Sequence, residues 1–181
     1  MNKNIIRNKI KQIRNDYKSI ELNAASECIC NRFYAKYSYL DTFLLYYPVN
    51  NEVNTLPLIN KLYNEGKSIY LPIVSGKNIN FHLFTGVESM VLGKFGIYEP
   101  MPKLLDKKAD IICVPAIAYD VNCSRIGYGG GYYDRFLSCN KNIIRVGFAY
   151  KFQIVDYIDS EAFDENVDEV FTEDFVIRRE T

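Results

Sequence analysis

The 181-residue sequence has no tryptophan and a single histidine, His82. One histidine excludes a metal centre built from several imidazoles, and the residue itself stands between Phe81 and Leu83 in strand-like surroundings. Five cysteines (Cys28, Cys30, Cys113, Cys123 and Cys139) are an odd number and form no C-x-x-C pair. That pattern disfavours both a disulfide framework and a structural zinc site, and it suits reduced thiols in a cytosol. Net charge is also missing, since 22 basic residues balance 22 acidic ones, so no global field draws the chain to nucleic acid or to a membrane. No apolar run approaches the ~20 residues of a membrane span. Charges interrupt the first residues before the apolar stretch of a signal peptide could form. A soluble, cytoplasmic protein is expected, with no nucleic-acid or membrane partner.

What is present is ordinary in amount and uneven in arrangement. Hydrophobic residues make up 48% and charged residues 24%, which is a globular composition at a length of about one domain. Lys3, Arg7, Lys9, Lys11, Arg14 and Lys18 make the start basic, whereas acids from Asp156 to Asp174 crowd the end. Charge runs of this kind usually belong to solvated faces.

Ile6, Ile10, Ile13 and Tyr17 recur at steps of four, three and four, which predicts a helix with one buried face. Arg7, Lys11, Arg14 and Lys18 follow the same steps one residue later, as a basic ridge whose stems would cover the helix flank. Ser19 is positioned to cap a second helix over 20–37. Thr42 to Pro48 reads as a buried strand, followed by an Asn50-Asn51 loop and a helix from about 54 to 65. Lys67–Val74 and Asn78–Phe84 suggest a hairpin turning at Ser75-Gly76. Ile111-Ile-Cys-Val-Pro115 is continuous and apolar, as in a central strand covered on both faces, and it is expected to deliver the chain to a glycine loop. A further buried strand falls within 142–150, where Gly147 would allow close approach. Together these imply one α/β domain over residues 1–181, a three-layer sandwich with a mostly parallel central sheet.

The glycine loop is Arg125-Ile-Gly-Tyr-Gly-Gly-Gly-Tyr-Tyr-Asp-Arg-Phe-Leu137. Consecutive glycines bring bare backbone N–H groups up to a ligand, and a following helix N-terminus favours anions, so the layout suits phosphate. Neither familiar loop fits. No Lys-Ser or Lys-Thr follows Gly131, as Walker A requires, and counting G-x-G-x-x-G from Gly127 puts Tyr132 at the sixth position.

The whole string closely resembles the signature of the 5-formyltetrahydrofolate cyclo-ligase family, and the likeness extends along the chain. Lys3-Asn-Ile-Ile-Arg7 matches the family's K-x-x-x-R pair, Pro48-Val-Asn-Asn-Glu52 its strand–loop–acid segment, and Gly93-Lys-Phe-Gly-Ile-Tyr-Glu-Pro100 its G-x-F-G-I-x-E-P stretch. Phe163 stands where members usually carry a polar residue, and Val167-Asp-Glu-Val170 holds the match beyond it. The resemblance implies ATP-dependent cyclisation of 5-formyltetrahydrofolate to 5,10-methenyltetrahydrofolate, on a fold like that of the phosphosugar isomerase and CoA-transferase group. It places Lys3, Arg7, Arg125 and the segment Gly127, Tyr128, Gly129, Gly130, Gly131, Tyr132 and Tyr133 around ATP. Asp134 and Asp164 would hold Mg²⁺, with Arg125 and Asp134 catalytic. Tyr47, Glu52, Tyr128 and Tyr132 would position the reduced folate.

Read without the family, several of these residues have plainer explanations. Glu52 and Asp134 both suit the first turn of a helix, where an acid interacts favourably with the dipole. Two other functions stay open at this level: a small kinase using a similar loop, and a non-catalytic ligand-binding or RNA-binding relative. A monomer is expected.

Overall fold

The computed structural model describes residues 2–93 and 96–180. Lys94 and Phe95 of the G-x-F-G-I-x-E-P stretch lie outside the described residues. The helices are α1 (Lys3–Asp16), α2 (Ser19–Tyr37), α3 (Leu56–Asn64) and α4 (Tyr132–Cys139). The strands in the first half are β1 (Thr42–Leu44), β2 (Ser68–Ser75), β3 (Asn78–Leu83), β4 (Val91–Leu92) and β5 (Tyr98–Glu99). Those in the second half are β6 (Ile111–Val114), β7 (Ala118–Asp120), β8 (Arg125–Ile126), β9 (Ile144–Phe148), β10 (Ile154–Val155), β11 (Glu169–Phe171) and β12 (Val176–Arg178).

Seven strands form the main sheet in the order β12-β11-β9-β6-β1-β2-β3. Its inner pairs are parallel, and only the two edges, β12 on β11 and β3 on β2, are antiparallel. The parallel pairing explains the continuous apolar strands, because both faces are covered. Along β6, Ile111 and Cys113 join the cluster under α2 and α3, while Ile112 and Val114 join the one that includes Leu137 of α4. Phe43 and Leu44 divide in the same way. The expected α/β architecture with a mostly parallel sheet flanked by helices is therefore observed.

Sequence and structure part at four places. Ser19 does not cap α2; Lys18 occupies that position and makes no side-chain capping bond. The strand after α2 ends at Leu44, and the chain to Pro48 runs on without strand pairing beyond a bond from Leu45 N–H to the Tyr70 carbonyl. Tyr17 is not buried with Ile6 and Ile10 but is 43% exposed, its ring stacked on Phe152 at 4.6 Å. Most consequentially, β6 does not lead straight into the glycine loop. Pro115 ends it, and the chain first makes the antiparallel pair β7–β8, which belongs to a small separate sheet, β10-β7-β8. A proline lacks the N–H that would continue the ladder, and the main sheet stops there.

Helix α1 docks on this small sheet. Ile6 and Ile10 pack with Ile117, Ala118, Ile126 and Ile158, and each buried isoleucine is worth about 1.5–3 kcal/mol. The small sheet is fixed in turn by Asp120. Its buried carboxylate accepts the N–H groups of Asn122, Ser124 and Ile158, and Cys123 takes a left-handed φ of 60° in the tight turn. Since β8 runs directly into the glycine loop, docking α1 here brings the first turns of the chain over that loop.

Gly147 of β9 meets the Tyr119 ring so closely that an added Cβ would collide with it. Tyr119 is fully buried and donates its hydroxyl to the Val114 carbonyl, so it cannot withdraw without orphaning a polar group. Gly147→Ala is expected to destabilise the protein by about 1–3 kcal/mol. A urea midpoint equal to wild type would show that this contact is not a constraint.

Candidate active site

The glycine loop closes over a cavity of about 750 Å³. Lys3, Arg7, Arg125, the segment Gly127 to Asp134, and Asp164 all line it. Residues from α1, from β8 and its loop, and from the stretch before β11 thus meet at one place, although Lys3 and Asp164 are 161 positions apart. Gly129 (φ 102°) and Gly131 (φ 63°) take conformations that strain other residues, and Gly131 caps α4 in the left-handed region. Phe163, 68% exposed, and the acids Asp159 and Glu161 complete the rim.

Two of the cavity's cations, Lys3 and Arg125, are paired with its acids. Lys3 Nζ lies 2.7 Å from Asp164 Oδ2 and 3.1 Å from Glu161 Oε1. Burial works to lower the Lys3 pKa and raise that of Asp164, but Asp164 and Glu161 prevail at Lys3, and the Glu161 N–H together with Lys3 prevails at Asp164. Lys3 is held above the usual ammonium value and Asp164 below the usual carboxylate value. Arg125 is nearly buried and reaches Asp134 Oδ1 at 2.5 Å, while its Nε donates to the Glu165 carbonyl. Asp134 also accepts the Glu165 N–H, so the helix-dipole explanation does not account for it fully. Arg7 binds no acid. Its Nε donates to the Gly127 carbonyl at 2.9 Å and holds the loop itself.

Glu52 does not line the cavity but is tied to it through Tyr128, which does. The Tyr128 hydroxyl donates to Glu52 Oε1 at 2.8 Å, and the other oxygen accepts the Val49 N–H at 3.0 Å. Helix α3 begins only at Leu56, so Glu52 is not an acid of its first turn; it closes the preceding loop. Asn50 and Asn51 make this possible by taking positive φ values of 49° and 56°, which asparagine tolerates better than most residues. Burial pushes the Glu52 pKa up, and the Val49 N–H, Tyr128 and the nearby Arg14 charge offset only part of that. Tyr47 is not brought to the cavity. Its ring packs near Tyr98, with centroids 5.7 Å apart.

Arg14, like Tyr17, is misplaced by the sequence pattern. It was expected on a solvated ridge, yet it is 2% exposed and donates to the Tyr128 hydroxyl at 3.2 Å and to the Ala116 carbonyl at 3.3 Å. The available signal was its position four residues after Ile10, on the edge of the apolar face. Steps of three and four serve a helix flank and a helix face almost equally, so periodicity alone did not separate them.

A raised carboxylate pKa makes the charged form costly to the folded state above the unfolded value, so stability falls as pH rises through the folded pKa. Glu52→Gln removes that cost. The stability of the variant relative to wild type should therefore rise between pH 4 and pH 8, measured by urea denaturation across the range. A constant difference would show that Glu52 is not perturbed.

No described helix is long and apolar enough to cross a membrane. Residues 1–173 match the profile of the 5-formyltetrahydrofolate cyclo-ligase family. The chain is 29% identical over 170 residues to 5-formyltetrahydrofolate cyclo-ligase of Haemophilus influenzae, covering 88% of this chain and 91% of that one. It is 30% identical over 132 residues to the Escherichia coli K12 protein of the same name, covering 68% and 72%. The solved structure of 5,10-methenyltetrahydrofolate synthetase from Aquifex aeolicus is similar at a TM-score of 0.89 and 31% identity, over 100% of this chain and 94% of that one. The agreement spans both the loop that builds the cavity and the segments that close it, and the chain belongs to the 5-formyltetrahydrofolate cyclo-ligase family of ligases.

Proposed function

We propose that this protein converts 5-formyltetrahydrofolate to 5,10-methenyltetrahydrofolate and releases ADP and phosphate, as one domain with the architecture of the phosphosugar isomerase and CoA-transferase group. The observation that carries this proposal is the convergence of Lys3, Arg7, Arg125, Asp134, Asp164 and the glycine loop on one cavity, with Glu52 tied to its edge by Tyr128.

A formyl group on nitrogen is a poor electrophile with a poor leaving oxygen. Transfer of the γ-phosphoryl group from ATP to that oxygen expels ADP and gives an iminium phosphate at N5. N10 then attacks the formyl carbon, phosphate leaves with its bonding electrons, and the N10 proton is lost to solvent. The first step needs alignment and charge neutralisation more than covalent help. Lys3, Arg7 and Arg125 supply the charge, and the N–H groups of Gly127 to Gly131 with Tyr132 and Tyr133 at the start of α4 supply the cradle. Glu52, Tyr128 and Tyr132 position the folate. Tyr47, away from the cavity wall, would reach the folate only where it extends beyond that wall.

Among the described residues no three carboxylate, thiol or imidazole side chains gather as a ready metal site, but Asp134 and Asp164 are suited to hold Mg²⁺ beside phosphate. Three cations there, Lys3, Arg7 and Arg125, face four carboxylates, Asp134, Asp159, Glu161 and Asp164, so phosphates arriving alone would meet a net repulsion. Asp134 and Asp164 each commit one oxygen to neighbours, Oδ1 and Oδ2 respectively, and the second oxygen of each accepts no hydrogen bond among the described residues. Free carboxylate oxygens are what a hard dication takes, alongside phosphate and water. When bound, Mg²⁺ would offset phosphate charge during transfer. The chain's own contribution would be to release Lys3 from Asp164 and Arg125 from Asp134, freeing the cations for phosphate and leaving both carboxylates able to hold the metal.

The direct test is near-ultraviolet absorbance of the methenyl product, formed from 5-formyltetrahydrofolate with and without Mg-ATP. ATP-dependent product is expected; ATP hydrolysis indifferent to folate would point to a kinase-like enzyme instead. In a separate titration, Asp134→Asn should raise the Mg²⁺ concentration for half-maximal rate by at least about tenfold. Unchanged turnover at limiting Mg²⁺ would defeat the metal role.

A further inference from the structure

We infer that Arg14 is a positioning residue for this site: through the Tyr128 hydroxyl it holds the Glu52 carboxylate, and so fixes where the glycine loop stands over the folate subsite. This rests on the folate role proposed above for Glu52.

Among the described residues Arg14 makes no direct ion pair, although it is almost fully buried. Its Nη1 donates to the Tyr128 hydroxyl and, at 3.5 Å, to the Asn50 carbonyl; its Nη2 donates to the Ala116 carbonyl; its Nε is buried with no partner. A buried guanidinium that forgoes both a direct carboxylate and one of its own hydrogen bonds is a costly way to fill a core. The arrangement makes sense as a relay. A guanidinium can only donate and an ionised carboxylate can only accept, so the one hydroxyl hydrogen of Tyr128 must point to Glu52. The polarity of the chain Arg14, Tyr128, Glu52 is thereby fixed, and with it the orientation of a tyrosine inside an otherwise side-chain-poor loop. Asn50, whose carbonyl faces Arg14, belongs to the turn that Glu52 closes, so α1 braces both ends of the contact.

Other titratable groups coupled to Glu52 are Tyr46 beyond β1, Cys113 on β6 and Tyr133 on α4. Burial pushes all three well above their ordinary values, so they stay neutral. Of the groups coupled to Glu52, Arg14 is the one that carries charge, and its loss should move the carboxyl upward again.

The test is a carbon NMR titration of the Glu52 carboxyl in the full chain, for wild type, Arg14→Met, Arg14→Lys and Tyr128→Phe, beside steady-state kinetics. Arg14→Met and Tyr128→Phe should raise the Glu52 pKa, and Arg14→Lys should restore part of it. In the kinetics, Arg14→Met should raise KM for 5-formyltetrahydrofolate about tenfold, the size expected for a lost hydrogen bond to a charged group, and leave KM for ATP within about twofold. The acidic limb of kcat/KM for folate should move to higher pH. An unchanged Glu52 titration in either variant, or equal losses for both substrates without a shift of that limb, would overturn the role. If Arg14→Met fails to fold, Tyr128→Phe carries the same test, because it removes the relay and leaves the cation. Should wild type turn over no folate, the proposed reaction falls, whereas the titration still decides whether Arg14 governs Glu52.

Discussion

A loop made mostly of glycine cannot hold its own shape, and everything at this site depends on how it is held from outside. Three arginines do most of that work. Arg7 takes the Gly127 carbonyl, Arg135 takes the Gly130 carbonyl from within α4, and Arg14 takes the Tyr128 hydroxyl. Each contact trades a flexible side chain for a fixed backbone, which helps when donors must be in place before a ligand arrives. The loop gains close backbone approach from its glycines and loses little of its definition.

The same need explains the small second sheet. If β6 ran directly into the loop, nothing would dock α1 beside it, and Arg7 and Arg14 would have no fixed origin. The β7–β8 pair, held by the Asp120 turn and packed under Ile6 and Ile10, supplies that platform. A proline at the end of β6 is the local cause, and the position of the N-terminal helix is the distant effect. The main sheet carries most of the buried apolar surface; the small sheet sets the geometry of the charges.

Charge in the cavity is arranged in part as internal pairs. Lys3 with Asp164, and Arg125 with Asp134, pair at 2.7 and 2.5 Å, while Arg7 and Asp159 on the same wall enter no such pair among the described residues. Both pairs are largely buried, with side chains 20% or less exposed, so breaking either without a replacement partner is costly. Glu52 follows a different logic, because its burial has a real cost, and neighbours from three separate segments offset only part of it.

Much of this was legible in the order of residues. The Lys3-x-x-x-Arg7 pair, the RIGYGGGYYDR string, Glu52 after a strand and the apolar runs of the main sheet were enough to expect an α/β protein with a phosphate-holding loop, since periodicity and glycine content act locally. Ser19 as a cap and the long strand to Pro48 went wrong where local propensity met tertiary competition. Tertiary structure alone decided that Arg14 turns inward, that Tyr47 packs away from the cavity, and that Asp164 meets Lys3. The reason is physical. A helical period fixes which residues share a side of α1, but burial of that side depends on what α1 docks against, and its partner is a pair of strands more than a hundred residues away.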